Sequence, residues 1–270
     1  MTTFESYARG FTRLSLWYAR KRIIENLSDF DDALNVRVNI FRNTRFYDGG
    51  RHPANGDDFP EWNAALGRVS VVFDARIHDH DTTALEEQSL AILWPDIKAC
   101  IDTQGDLQKP DSERPYECWS FDYRGDNRLN IHIYNVYRPE SPLSEKRDAF
   151  AAALIHLLED SRRNRPDVIV VACGSWLNSM GLFAELFPQA WKDSAVVSGE
   201  VRYTMGHWGQ FADRTGDFHV ANGERFRDTG DFPYACLRCS APIDAVLNHL
   251  KDHFPGAVAH NNSTGDNHNR

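Results

Sequence analysis

Residues 168–173 read Val-Ile-Val-Val-Ala-Cys, an apolar run with no polar interruption. A strand buried on one face alternates, whereas an unbroken run like this one belongs to a strand covered on both. The residues before it have a helical period: Phe150, Leu154, Leu157 and Leu158 recur on one face. Ser141 is placed to cap that helix, Pro142 suits its first position, and Pro166 stops it. After the run comes a break at Gly174-Ser175, then a second helical pattern from Trp176 to Phe187, ended by Pro188. Upstream, 117–124 and 128–137 read as two strands joined around Gly125-Asp126-Asn127, a hairpin signal. A helical crossover returns the chain in the direction it left, so the strands flanking it are expected to be parallel neighbours.

The same rules sort the rest of the chain. Phe4, Tyr7, Phe11, Leu14 and Trp17 recur at three- and four-residue steps and predict an amphipathic helix over about 4–27. Residues 36–42 alternate and read as a strand, as do 68–76, where Val69, Val71 and Phe73 share one face. A helix is expected over 83–102, with Pro95 placed to kink it. Residues 43–67 and 103–115 read as loops. Further strands are expected over 195–204 and 232–239, an irregular stretch over 205–231, and a helix from Pro242 through His253. Residues 257–270 are polar, with little to bury, and predict a disordered tail. The expected fold class is α/β (or α+β). It is a single domain over 1–256 with a mixed β-sheet, at least one parallel βαβ crossover and helices on both faces.

Charge and cysteine usage narrow the function classes. Acidic residues number 39 against 30 basic, a net charge of −9, which argues against a phosphate-backbone partner. The first 27 residues are locally basic, through Arg9, Arg13, Arg20, Lys21 and Arg22, which reads as a solvated helix face. Charges interrupt the start before any apolar leader forms, and no run is long enough to span a bilayer. Five cysteines, an odd number, do not suggest a secreted disulfide framework, so a cytoplasmic location is expected. Gly-x-Gly-x-x-Gly, Walker A, His-Glu-x-x-His and EF-hand patterns do not occur, and no cofactor is expected. The Cys236-x-x-Cys239 pair has no second pair at zinc spacing and reads as structural.

Three constellations are candidates for chemistry. The first is the strand-to-helix turn at Cys173, Gly174 and Ser175, continued by Asn178. Ligands of α/β sheets collect at carboxyl ends of strands, and a helix start there offers free N–H groups to an anion. Asn135, Tyr137 and Arg138 end the neighbouring strand, with Arg138 as an anion anchor. Cys173 or Ser175 would be the nucleophile, although a cysteine at the end of an apolar strand is more often core, and Ser175 reads as a cap. The second is His78 and His80, with Asp74: a His-x-His pair on a strand places two imidazoles on one face and makes a runner-up metal site. Its competing reading is a polar loop before a helix. The third is Tyr203–Phe211, where glycines flank His207 and Trp208, with Gln210 beside them. His207 is the preferred proton-transfer group there, against an ordered loop stapled by Trp208 and Phe211. The leading expectation is a hydrolase or transferase acting on a small anionic molecule at the first turn, with no nucleic-acid or membrane partner. A non-catalytic small-molecule binder is the alternative. The oligomeric state does not follow from sequence.

Overall fold

The computed structural model describes residues 2–107, 114–125 and 127–257. In chain order the helices are α1 (Thr3–Ile24), α2 (Phe30–Asp32), α3 (Pro60–Arg76), α4 (Thr83–Gln104), α5 (Arg147–Asn164), α6 (Gly181–Ala184), α7 (Gln189–Asp193), α8 (Met205–Trp208), α9 (Val220–Thr229) and α10 (Ile243–His253). The strands are β1 (Trp119–Arg124), β2 (Arg128–Ile133), β3 (Val170–Ser175), β4 (Val196–Val197) and β5 (Leu237–Pro242). The chain divides into two compact units, 1–109 with 200–233, and 110–199 with 234–270. Each has its own buried apolar cluster.

The first unit is helical; every strand among the described residues lies in the second. The start of α1 is fixed by a capping box, in which Thr2 accepts from the Glu5 N–H and Glu5 accepts from the Thr2 N–H. Tyr7, Phe11, Leu14 and Tyr18 are buried along its inner face. Gly10 of α1 and Gly223 of α9 grip the Phe218 ring so closely that an added Cβ would meet it at 2.5 and 2.6 Å. Phe11, Tyr18, Trp208, Phe211, Phe226 and Phe232 form one aromatic core with edge-on and tilted contacts.

Two strand expectations fail in this unit. Residues 68–76 belong to α3, opened by Pro60 at its first turn. The buried set is Trp62, Leu66, Val69 and Phe73, a helical spacing, while Val71 is 66% exposed, which breaks the alternation. Residues 36–42 form irregular helical turns, a π-turn over Ala33–Arg37 and a 3-10 turn over Phe41–Asn43. A strand needs a pairing partner, and among the described residues this unit supplies none. Pro95 stays within the continuous α4.

In the second unit the sheet order is β1-β2-β3-β5-β4, a mixed sheet of five strands. The hairpin pairs β1 and β2 antiparallel, with Trp119 opposite Ile133. β2 and β3 run parallel, with Leu129 opposite Val171, and α5 makes the expected crossover between them. β3 and β5 are antiparallel, with Cys173 opposite Cys239. Trp119, Leu129, Ile131, Val171, Cys173, Cys239 and Ala241 are buried in one core with Phe150, Leu154, Leu158, Val246 and Leu250 of α5 and α10. Trp119 stacks on Phe150 at 4.3 Å and donates its indole N–H to the Phe150 carbonyl. The opposite sheet face is polar, with Asp122, Asn130, His132 and Arg238.

Several boundaries move. Helix α5 begins at Arg147; Ser141 instead accepts from the Leu143 N–H in a preceding turn. The helix expected over 176–187 is a 3-10 turn over Trp176–Ser179, followed by the short α6, because the backbone is extended at Met180. The strand over 195–204 contributes only β4, and the last strand starts at Leu237. From residue 258 onward the expected disordered tail lies outside the described residues. Among the described residues no helix is long and apolar enough to cross a membrane.

Candidate functional site

The turn after β3 is closed by its own hydrogen bonds. Ser175 is buried, and its hydroxyl accepts from the Leu177 N–H, so it acts as a cap. Its side chain shares the core face with Val171 and Cys173, as strand alternation requires. Asn178 donates to the carbonyls of Cys173 and Leu237 and accepts from the Trp191 indole N–H. Burial, with Cys239 and Cys236 close by, pushes the Cys173 thiol far above its ordinary pKa, which opposes thiolate formation. Gly174 is exposed, opposite Arg238. The turn that follows has only four residues, so it lacks the aligned peptide dipoles of a full helix start.

Arg138, Asn135 and Tyr137 lie beyond the end of β2. The Arg138 guanidinium sits 4.7 Å from the Tyr134 ring centre. Asn135 accepts from the Tyr137 N–H and donates to the Glu140 carbonyl, which shapes this turn. The Tyr137 hydroxyl donates to Glu117, and burial together with that carboxylate raises its pKa.

The runner-up metal residues do not share a strand. Asp74 ends up in α3, His78 in the turn after it and His80 in a bend before α4. Among the described residues no group of three or more His, Cys, Asp or Glu is placed to hold a metal ion.

His207, Trp208 and Gln210 belong to the first unit. Three bonds lace their segment to residues 36–39. The Tyr203 N–H donates to the Val36 carbonyl, the Trp208 indole donates to the Arg37 carbonyl, and the Asn39 amide reaches the Met205 sulfur at 3.2 Å. Trp208 is wholly buried, as its stapling role requires. Gln210 donates to the His207 carbonyl, while its own carbonyl accepts from Asn222. His207 is 7% exposed, and its Nδ1 lies 3.4 Å from the Thr204 hydroxyl. Burial, and then Arg202, press its pKa down to about 4.

The structure adds a residue that the sequence reading passed over. His52 lies in a stretch read as loop, yet it is 1% exposed. Its ring stacks on Tyr203 at 3.6 Å with an 8° interplanar angle, and Phe41 meets it edge-on at 5.0 Å. Its Nδ1 accepts from the Ala54 N–H, and the His52 backbone N–H donates to the Asp57 carboxylate. Burial, then Arg42 and Arg202, lower its pKa to about 4 against the opposing pull of Asp57. Burial thus favours the neutral form of both imidazoles, and one cation, Arg202, acts on both. The glycine-flanked Tyr203–Phe211 pattern was the only signal; nothing local tied it to His52, 151 positions earlier in the chain.

No family model, no curated protein and no solved structure matches this chain.

Proposed function

We propose that the chain binds a small anionic molecule in its first unit, beside His52, Tyr203 and His207, with Arg42 and Arg202 as its cationic contacts. The observation that carries this reading is a cluster: His52 stacks on Tyr203 at 3.6 Å, and the Arg202 guanidinium lies 5.9 Å from the centre of the same Tyr203 ring. Arg42 and Arg202 both act on the buried His52 ring, and Arg202 acts on His207 as well. Cations gathered beside neutral rings leave a positive field for an anion to meet, and a bound anion would also draw the imidazole pKa values back toward neutrality. The turn after β3 supports the reading less well, because Ser175 and Asn178 already spend their hydrogen bonds on the protein. The five free thiols fit the cytoplasmic location that this reading assumes.

Calorimetric titration with inorganic phosphate and with a small carboxylate tests it. Saturable binding is expected, and Arg202→Gln should weaken it by about tenfold or more, the worth of one charge-assisted bond of roughly 1.5–3 kcal/mol. Uptake that never saturates, or that ignores Arg202, removes the proposal. His207→Gln separates binder from enzyme: a binder keeps most of its affinity, whereas an enzyme keeps affinity and loses turnover.

A further inference from the structure

Helix α3 carries Gly67 in its interior. Glycine is less favourable there than alanine, and no packing explains it: a Cβ added at Gly67 would meet no other part of the protein within 4 Å. Local rules broken without a packing gain are expected at functional sites. The open space beside Gly67 is a cavity of about 390 Å³ in the first unit. One wall is a stripe of α3, with Asn63, Leu66, Gly67 and Ser70 at helical spacing. The other is Phe30 and Asp31 of α2 and Asn35 of the π-turn. Asp31, Asn63 and Gly67 are exposed, so the cavity is open to solvent.

The polar groups around it are mostly acceptors. Asn63 spends an amide N–H on Asp58 and keeps its carbonyl, and the Ser70 hydroxyl donates to the Gly67 carbonyl and keeps its lone pairs. Among the described residues the Asp31 carboxylate has no ion-pair or hydrogen-bond partner, and no Lys, Arg or His lines the cavity. The donor is Asn35. Its carbonyl accepts from the wholly buried Trp62 indole N–H at 2.8 Å, which fixes the amide and leaves its own N–H groups without a protein partner.

We infer that this cavity binds a small primary amine that carries an oxygen acceptor. An ammonium brings a positive charge and three donors, which match Asp31, Asn63 and Ser70. The oxygen accepts from Asn35, and Phe30 and Leu66 cover the apolar body between. The volume is that of a small-molecule pocket. The site is separate from the anion site proposed above and does not depend on it.

Tyramine is the probe, since it has an ammonium, an apolar ring and a phenol oxygen. Calorimetric titration should show saturable binding. Hydroxyphenylacetate, with a carboxylate in place of the ammonium, should bind at least about tenfold more weakly, and Asp31→Asn should weaken tyramine by about tenfold. Gly67→Leu puts a side chain into the cavity and should abolish binding, while the melting temperature stays level or rises because leucine is the better helix former. The side-chain amide resonances of Asn35 in the unaltered protein should move as tyramine is added, a readout that needs no variant. Failure of tyramine to saturate, equal binding of the carboxylate, or undiminished binding in Asp31→Asn or Gly67→Leu overturns the proposal, whether or not phosphate binds beside His52.

Discussion

Ser175 at the end of β3 and His52 in the first unit are both buried polar side chains, but their surroundings treat them differently. Around Ser175 the polar atoms are paired: its hydroxyl takes the Leu177 N–H, and Asn178 joins two carbonyls and an indole. Around His52 one nitrogen is paired and the other is not. A fully paired buried network holds a fold in register, whereas an unpaired buried polar atom is a cost, one that Thr12, Ser15 and Ser89 of the first unit carry as well. What sets the imidazole apart is its stack on Tyr203, and the functional reading moves there from the strand end. The two regions also rest on different cores, one of strands against α5 and α10, the other of helices joined by aromatic contacts.

The largest effects should come from those cores. Trp119→Ala and Trp208→Ala each remove a wholly buried indole with a bonded N–H, and each should cost about 3–5 kcal/mol. Hydrogen exchange should report the loss mainly within the unit that holds the substitution. If either change opens both units together, the chain is one cooperative domain, as its sequence suggested, and the two cores do not act separately.

The next effect bears on the paired and unpaired polar groups. Asn178→Ala should destabilise by roughly 2–3 kcal/mol, since it strands the Trp191 indole N–H and two carbonyls. His52→Phe should change stability by less than about 1 kcal/mol, because it removes an unpaired donor along with a paired acceptor. Denaturant midpoints compare them directly. A large loss at His52 with little at Asn178 would reverse the contrast.

The most gradual effect is the response to acid. In the unfolded chain His52 and His207 take up protons near the ordinary imidazole value of 6.5, while in the folded protein both stay neutral down to about 4. The unfolded state therefore binds more protons in that window, and stability should fall as pH drops from about 6.5 toward 4. Above 6.5 both states are neutral and these groups contribute no slope. Melting temperatures across this range should flatten in the variant carrying His52→Phe and His207→Gln. An unchanged slope would show that the two rings are not the groups responsible.

The parts legible in sequence were those specified by short-range pattern. The unbroken apolar run at Val168–Cys173, the stripe Phe150–Leu158 and the Gly125–Asn127 turn were enough for a hairpin, a crossover helix and a parallel pair, because each signal lies within a few residues. The 68–76 segment misled because Val69, Val71 and Phe73 satisfy a period of two, while Trp62 and Leu66, outside the window, reveal the period of 3.6. His207 and Trp208 could be picked out by their glycine flanks, but His52 could not. Tyr203 stacks over it, and burial with Arg42 and Arg202 lowers its pKa; those residues are brought together only by the folded chain. Local periodicity determines which segments become helix or strand, since those hydrogen bonds and apolar faces are set by near neighbours. The environment of a buried imidazole is set by groups far apart in sequence, so the tertiary structure alone decided that His52 is neutral, stacked and left with one unused donor.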